Sequence, residues 1–156
     1  MAAEHDRCTE TVSSQSRIVV RDRGTNVSAI FLNPDHCPAE RIRLDGCLIP
    51  RGQMAADFLI SFIGVVDVIV ELKGTDVRHA LDQIEAAFDY LQANRTKKKR
   101  PPNSPVVSSL LVCSCYPRNN THIERRRDRL RRKGVRLITA HSKEEHTFSK
   151  FLGNKA

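Results

Sequence analysis

Tryptophan is absent from this chain, and only 5% of its 156 residues are aromatic. Modules that bind single-stranded nucleic acid by base stacking need exposed aromatic rings, so the composition does not indicate that mode of binding. No apolar run approaches the ~20 residues that a membrane-spanning helix requires, and no secretory signal peptide is recognisable at the start of the sequence. We therefore expect no membrane partner.

Paired cysteine motifs are also missing. The five cysteines lack the CxxC pairs of zinc sites, and an odd number cannot all form internal disulfides. Cys113 and Cys115 are more simply explained as core thiols than as metal ligands. These features favour a reducing compartment and predict an intracellular protein, cytoplasmic or nucleoid-associated, with a nuclear location left open by the basic run at residues 97–100.

Acidic residues are scarce where basic residues are concentrated. The net charge is +8, and residues 97–133 contain twelve Lys or Arg against two acids. Positive charge gathered in one region is typical of proteins that contact phosphate groups. Nucleic acid is therefore the expected partner, with DNA favoured over RNA, and a homodimer or a protein partner remains open.

A β-hairpin is the strongest pattern that the sequence contains. Two short runs rich in Val, Ile and Phe, residues 57–62 and 65–72, flank Gly64 and predict antiparallel strands joined by a tight turn. With Gly64 at the centre, Asp57 lies opposite Glu71. Alternation along the strand places Lys73 on the same face as Glu71. Three charged side chains therefore converge at the open end of an apolar hairpin.

This convergence predicts phosphodiester chemistry. Buried carboxylates are costly without a partner, and a Mg²⁺ ion bridging Asp57 and Glu71 would neutralise both of them. Such an ion can polarise a phosphoryl oxygen and lower the pKa of a bound water, while Lys73 can stabilise the charge that develops on the phosphate. We expect a Mg²⁺-dependent phosphodiesterase in which Mn²⁺ can substitute.

At these positions the sequence resembles the PD-(D/E)xK nuclease superfamily. Asp57 matches the first acid, Glu71 and Lys73 match the E-x-K, and Gln83 resembles the glutamine that many members carry on the following helix. The resemblance covers roughly residues 42–140. It implies a restriction-endonuclease-like α/β core, with a mixed central β-sheet flanked by helices. It also implies that the backbone carbonyl of Leu72 completes the metal shell.

Two departures accompany the resemblance: Ala56 stands where members often have proline, and the usual first core helix with its glutamate is not recognisable. Glu40 or Asp45 is a candidate for the missing third acid, although a solvated Glu40 and a turn at Asp45 explain both residues as well. Asp67 shares a strand face with Glu71. It lies four residues away, roughly 13 Å along the strand, at the turn end of the hairpin, so distance argues against it as the third acid.

The length predicts one domain over residues 17–156, preceded by a disordered or frayed terminus at residues 1–16. A basic, proline-broken loop is expected at residues 94–105. Further strands are predicted at residues 17–21, 28–32, 41–50, 106–116 and 135–140, and a short helix is predicted in the tail from residue 142.

A first helix is predicted from Thr75 or Asp76 to about residue 93, with an apolar stripe facing the core. His79 and Gln83 lie on a neighbouring polar edge near its start. Gln83 is a candidate to bond a phosphate or Lys73, and His79 is a candidate to contact the substrate backbone. An ordinary position at the edge of the helix is the alternative for each.

A second helix is predicted to begin at Thr121, where Thr121 and Glu124 form a capping-box pattern, and to end before Gly134. It carries seven cations with almost no acid at i+4 spacing, which favours a phosphate-contacting surface over a merely solvated one. The predicted nucleic-acid contacts are Lys97, Lys98, Lys99 and Arg100 in the loop and Arg125, Arg126, Arg129 and Arg132 in this helix, together with His79.

The sequence thus predicts a metal-dependent nuclease with Asp57, Glu71, Lys73 and Gln83 as its catalytic residues and Asp57, Glu71 and Leu72 as its metal ligands. The alternatives are a non-catalytic nucleic-acid-binding protein that keeps the nuclease fold, and a small accessory or defence protein that acts through a protein partner.

Overall fold

The computed structural model describes residues 7–72, 76–94 and 106–153, which form two β-sheets and two long α-helices. The helices are α1 (Val77–Asn94) and α2 (Thr121–Arg132). In chain order the strands are β1 (Thr9–Thr11), β2 (Arg17–Arg21), β3 (Ser28–Leu32), β4 (Ala39–Arg43), β5 (Phe58–Phe62), β6 (Val66–Leu72), β7 (Val106–Val112), β8 (Arg136–Ala140) and β9 (Glu145–Thr147).

The larger sheet has six strands in the order β1-β4-β5-β6-β7-β8. The pairs from β1 to β6 are antiparallel, whereas β6, β7 and β8 are parallel to one another. Parallel neighbours need a crossover connection, and α1 and α2 supply the two crossovers. This is the α/β class with a mixed central sheet that the sequence predicted.

Alternation along β6 divides its side chains between two cores. Ile69 packs toward the helices with Leu59 and Leu111, whereas Val68 and Val70 face the opposite side of the sheet. Because the helices cover one face and the smaller sheet covers the other, β6 is buried along its whole length. Its nearly continuous apolar sequence reflects this burial on both faces.

The smaller sheet has the order β2-β3-β9 and packs its inner side chains against the six-stranded sheet. Phe31 on β3 lies 5.5 Å, ring centre to ring centre, from Phe151. Phe151 ends a 3-10 turn (Phe148–Phe151) that follows β9. The tail from residue 142, predicted to be a short helix, is therefore a strand and a 3-10 turn, because it completes this aromatic core.

One edge of the larger sheet collects the carboxyl ends of its parallel strands. Since β6, β7 and β8 are parallel, they end together at Leu72, Val112 and Ala140. The helices α1 and α2 each follow one of these strands, so both helices begin at this edge. The chain also enters β5 here, because β5 is antiparallel to β6. We call this side of the molecule the carboxyl edge.

The N-terminal region differs from its expectation. The sequence predicted a frayed segment through residue 16, but Thr9–Thr11 form β1 and pair with β4, and Val12 is fully buried. Residues 1–6 lie outside the described residues. Short polar stretches of this kind carry no periodicity of their own, and here the partner strand supplies the order.

The strand predicted at residues 41–50 is also shorter than expected, since β4 ends at Arg43. Gly46 has φ 66°, a left-handed conformation that favours glycine and turns the chain. Leu44 before this turn and Ile49 after it are fully buried in the helix-side core. Residues 44–56, which we call the Asp57 loop, therefore cover part of the helix side of the sheet instead of extending β4.

The Asp57 loop is joined to β1 by a disulfide between Cys8 and Cys47, which are 39 positions apart. The cysteine pattern favoured a reducing compartment, in which disulfides are rare, and this pairing removes the support that the cysteines gave to that expectation. Thr9 pairs with Ile42, so the antiparallel β1–β4 contact brings Cys8 close to the turn that follows β4. Cys37, Cys113 and Cys115 are free. Cys113 is buried as predicted, whereas the prediction of a core thiol is wrong for Cys115, which is exposed because β7 ends at Val112.

Both predicted helices are present with small shifts at their starts. Asp76 precedes α1 and accepts a hydrogen bond from the backbone N–H of His79 at 3.1 Å. The cap of α2 is Asn120 rather than Thr121, because the Asn120 side chain accepts from the backbone N–H groups of His122 and Ile123. No helix within residues 7–72, 76–94 and 106–153 has the length and apolar character needed to cross a membrane.

Candidate active site

The β5–β6 hairpin determines where the two predicted acids lie. Phe58 pairs with Val70 about a turn at Gly64, whose φ of 77° favours glycine. Extending this register by one residue places Asp57 opposite Glu71, as the sequence predicted. The register depends on the alternating pattern and the turn, both of which are local features.

Asp57 is held in place through its side chain and its backbone. The N–H of Leu72 donates to Asp57 Oδ2 at 2.8 Å, and the N–H of Leu44 donates to the Asp57 carbonyl at 2.9 Å. The Asp57 carboxylate therefore lies against the end of β6, beside Glu71. Asp57 is half-buried, and Glu71 is 1% exposed.

Asp57, Glu71 and Leu72 are thus brought together at the carboxyl edge. Five other predicted residues lie outside the described residues, namely Lys73, Lys97, Lys98, Lys99 and Arg100. His79 is exposed in the first turn of α1, at the same edge as Asp57 and Glu71.

Gln83 lies near the site but contacts the protein backbone. Its Nε2 donates to the carbonyl of Ala55 at 3.1 Å, two residues before Asp57. Through this bond one amide proton of Gln83 holds the chain that leads into β5. The contacts predicted for Gln83 were with a phosphate or Lys73. Gln83 therefore acts as a positioning residue for Asp57.

The rest of the Asp57 loop is also tied to the helix side. Tyr90, two turns beyond Gln83 on α1, donates from its hydroxyl to the carbonyl of Leu48 at 3.1 Å. Together with the Cys8–Cys47 disulfide, these bonds attach the loop to α1 and to β1. The loop thus supports Asp57 from the side opposite the hairpin turn.

A third acid is not found at the candidate positions. Glu40 pairs with Ser61 toward the turn end of the hairpin, away from Asp57, and Asp45 is exposed in the turn after β4. Among the described residues no group of three or more His, Cys, Asp or Glu side chains is arranged to hold a metal. Asp57 and Glu71 are therefore the carboxylates that the candidate site can use.

Asp67 occupies the position expected for it near the hairpin turn. It is 2% exposed, it pairs with Ser61, and it accepts a hydrogen bond from the Ser61 hydroxyl at 2.6 Å. It lies on the same strand face as Glu71 but four residues away, so it does not join the candidate site.

The cations of α2 have acidic partners that the sequence argument did not foresee. Few acids lie within α2 itself. The partners are Asp82, Glu85 and Asp89 of α1, which packs alongside α2. We call these contacts the α1–α2 ladder. Arg126 Nε donates to Asp82 at 2.8 Å, Arg129 Nε donates to Glu85 at 2.7 Å, and Lys133 Nζ donates to Glu85 at 2.8 Å and to Asp89 at 2.9 Å.

The ladder corrects the prediction for Arg126 and Arg129, which bind carboxylates of α1 rather than an open phosphate surface. The signal was present in the sequence as a matched spacing. The acids at 82, 85 and 89 and the cations at 126, 129 and 133 both recur at about one-turn intervals. Such a match has meaning only if α1 and α2 are neighbours, which their amphipathic patterns alone do not determine.

Arg125 and Arg132 are exposed and form no ion pair within the described parts of the chain. They lie seven residues apart on the outward face of α2, which is a rise of about 10 Å along the helix axis. Arg125 is near the carboxyl edge, where α2 begins, and Arg132 is near the opposite edge. Only Arg125 therefore lies toward Asp57 and Glu71.

Glu85 makes the stability of the ladder depend on pH. Burial by itself would raise the pKa of this carboxyl group, but hydrogen bonds from Lys133 and Arg129 outweigh burial and lower the pKa below its usual 4.5. A lowered folded-state pKa means that the carboxylate contributes stability above about pH 4.5. That contribution is lost as the pH falls through the folded-state pKa.

We expect Glu85→Gln to lower the free energy of unfolding by about 1–2 kcal/mol at pH 7, since Arg129 is half exposed and its ion pair is partly screened. Urea unfolding at pH 7 and at pH 3.5 measures the effect, and the difference from wild type should shrink at the lower pH. Asp35→Asn, at an exposed loop carboxylate, is the control and should change neither value. A difference that is the same at both pH values would contradict the role given to Glu85.

A concavity of about 610 Å³ lies elsewhere, on the outer face of the smaller sheet. It is lined by Arg17, Arg21, Lys143 and Glu145 among others, and Arg17 is ion-paired with Glu145 at 2.5 Å. It contains none of the predicted site residues.

Comparison of this chain with protein-family models, with curated proteins and with solved structures found no match.

Proposed function

We propose that this protein is a Mg²⁺-dependent phosphodiesterase that cleaves nucleic acid, with DNA favoured over RNA. The observation that carries the proposal is the hydrogen bond from the Leu72 N–H to Asp57 Oδ2. It holds one carboxylate against the strand that bears Glu71, at an edge where two helices begin. The expected intracellular location and the PD-(D/E)xK relationship are part of this proposal.

The element order supports the proposed restriction-endonuclease-like core. Three antiparallel strands, β4, β5 and β6, are followed by α1 and then by the parallel strand β7. This is the strand, hairpin, helix and strand arrangement that the resemblance implies. The Asp57 loop covers part of the helix side, where the resemblance would place a first core helix.

The residues at the carboxyl edge fit a hard divalent cation. Mg²⁺ takes oxygen ligands and commonly binds one or two protein carboxylates while keeping several waters. Asp57 Oδ1, the Glu71 carboxylate and the Leu72 carbonyl would hold it, since Asp57 Oδ2 accepts from Leu72. When bound, Mg²⁺ supplies a polarised phosphoryl oxygen and a water of lowered pKa.

The remaining residues prepare the site and stabilise developing charge. Lys73, which follows Leu72 directly in the sequence, is proposed to donate to the phosphate as negative charge builds on it. Gln83 holds Ala55 and thereby limits the movement of Asp57. His79, exposed at the start of α1, is proposed to contact the substrate backbone.

A non-catalytic nucleic-acid-binding protein that keeps this fold is the second candidate. It is favoured by the lack of a third acid beside Asp57 and Glu71 among the described residues. An accessory or defence protein with a protein partner belongs to the same class. Cleavage and binding assays separate this class from the proposed hydrolase.

The deciding experiment incubates purified protein with labelled single- and double-stranded DNA and RNA, in EDTA, Mg²⁺ or Mn²⁺. We expect cleavage of double-stranded DNA that requires either metal. Lys73→Ala should lower the rate by roughly 10²–10³-fold while leaving affinity nearly unchanged, because the lysine acts on the reacting phosphate. Binding without cleavage under every condition would select the non-catalytic alternative.

A further inference from the structure

The six arginines of α2 and Lys133, which caps it, are divided among the sides of the helix. With 100° between successive residues, Arg126, Arg129 and Lys133 lie on the side that faces α1, where the ladder pairs them. Arg127 and Arg131 lie on the opposite side, which faces β8. These two arginines belong to the predicted phosphate-contacting surface but were not named among its individual contacts, because helical spacing alone does not show which side of α2 is occupied.

A groove of about 380 Å³ runs between α2 and β8. Since β8 is the last strand of the larger sheet among the described residues, this side of the groove is open to solvent. Three arginines line it, namely Arg127 and Arg131 from α2 and Arg136 from β8. Its remaining lining comes from Gly134, Val135, Leu137 and Ile138.

The positive charge of this groove is largely uncompensated. Among the described residues Arg131 pairs only with Asp128, in an i,i+3 contact at 2.9 Å in which the arginine side chain is 81% exposed. Such surface pairs contribute little. Arg136 Nη1 donates to the carbonyl of Lys150 at 3.3 Å, which leaves its charge unneutralised. Arg127 forms no ion pair with any acid that the structure describes, including Glu124 one turn earlier.

We propose that this groove binds the sugar–phosphate backbone of nucleic acid. The inference rests on the proposed function, since it names the surface that holds the substrate. Guanidinium groups recognise phosphate through two parallel hydrogen bonds. Arg127 and Arg131 are four residues apart, about 6 Å along the helix, so they can contact different phosphates.

The composition of the groove favours nucleic acid over a protein partner. Protein–protein interfaces are enriched in arginine together with aromatic residues and methionine, and the lining of this groove has arginine without any aromatic residue or methionine. Surfaces that bind nucleic acid are polar and much more positive. The groove lies two strands from β6, roughly 10 Å across the sheet at the usual strand spacing. Arg136 begins β8 at the edge opposite the carboxyl edge, so a duplex that contacts both the groove and Asp57 must run along α2.

The test compares two triple variants that remove the same charge. The groove variant is Arg127→Gln, Arg131→Gln and Arg136→Gln, and the ladder variant is Arg126→Gln, Arg129→Gln and Lys133→Gln. Binding to labelled double-stranded DNA is measured by fluorescence anisotropy in EDTA across a range of NaCl concentrations. Thermal unfolding of each protein is recorded in parallel to separate binding from stability.

For the groove variant we expect affinity to fall at least ~10-fold, with little change in melting temperature. Its slope of log affinity against log salt should flatten by about 0.9 for each phosphate that an arginine no longer neutralises, on the order of three in total. The ladder variant should melt at a lower temperature and keep the wild-type slope. Arg127→Glu alone should also weaken binding, and it tests the proposal if the triple variant folds poorly.

An unchanged salt slope in the groove variant overturns the proposal. Equal flattening in both triple variants does so as well, because net charge would then explain the effect. Tighter binding of poly-glutamate than of duplex DNA to the groove would assign it to an acidic protein partner. If the wild type never cleaves but the groove variant alone shows the flattened slope, the groove assignment stands and the hydrolase proposal fails.

Discussion

Glu71→Gln is expected to lower metal-dependent cleavage by at least ~10²-fold, because the proposed function assigns this carboxylate as one of two charged metal ligands at the carboxyl edge. Glutamine has nearly the same shape, so the packing around this 1% exposed side chain is retained. Cleavage rates at saturating Mg²⁺ and isothermal titration with Mn²⁺ measure the two effects, and the affinity for metal should fall together with the rate.

Asp67→Asn is the matched control for this prediction. Asp67 lies on the same strand and the same face as Glu71, it is also buried, and it accepts from Ser61 instead of facing Asp57. We expect Asp67→Asn to keep its metal affinity and its cleavage rate, with at most a small loss of stability. Equal losses in both variants would mean that buried charge in β6, rather than metal binding, explains the result.

Opening the Cys8–Cys47 disulfide is expected to cost up to about 4 kcal/mol of stability. A cross-link that closes a loop of this length, with 39 positions between its cysteines, restricts the unfolded chain by approximately that amount. Urea unfolding with and without dithiothreitol measures the loss. The double variant Cys8→Ser with Cys47→Ser should match the reduced protein and should not respond to the reductant.

The remaining cysteines provide the control for this second prediction. Cys37 and Cys115 are free and not fully buried, so Cys37→Ser with Cys115→Ser should unfold like wild type and keep the full response to dithiothreitol. Cleavage by the reduced protein should also fall, because the Asp57 loop leads directly to Asp57. Identical unfolding curves with and without reductant would show that the disulfide does not contribute to stability in solution.

Local pattern was sufficient to predict the central hairpin. Gly64 and the alternating Val and Ile positions define both the turn and the register, so the pairing of Asp57 with Glu71 follows without knowledge of the rest of the fold. The same holds for α1, whose apolar stripe and cap at Asp76 are short-range features. The mixed α/β class follows from the order of these elements.

Interactions between distant segments were not predictable in this way. The disulfide depends on β1 pairing with β4, and β1 is a three-residue strand with no periodic signal. The ladder depends on α1 and α2 packing side by side. That packing sets the acidic partners of Arg126 and Arg129. It also sets the position of the arginines that line the groove.

The residue types that meet within the hairpin follow from sequence alone, because strand alternation and turn geometry act over a few residues. The division of the α2 cations between acids of α1 and the groove beside β8 depends on tertiary packing. A helical pattern shows that a face is charged, but the neighbour of that face is chosen by packing across the whole sheet. Charge therefore indicates the partner class, while the fold selects the surface that can bind it.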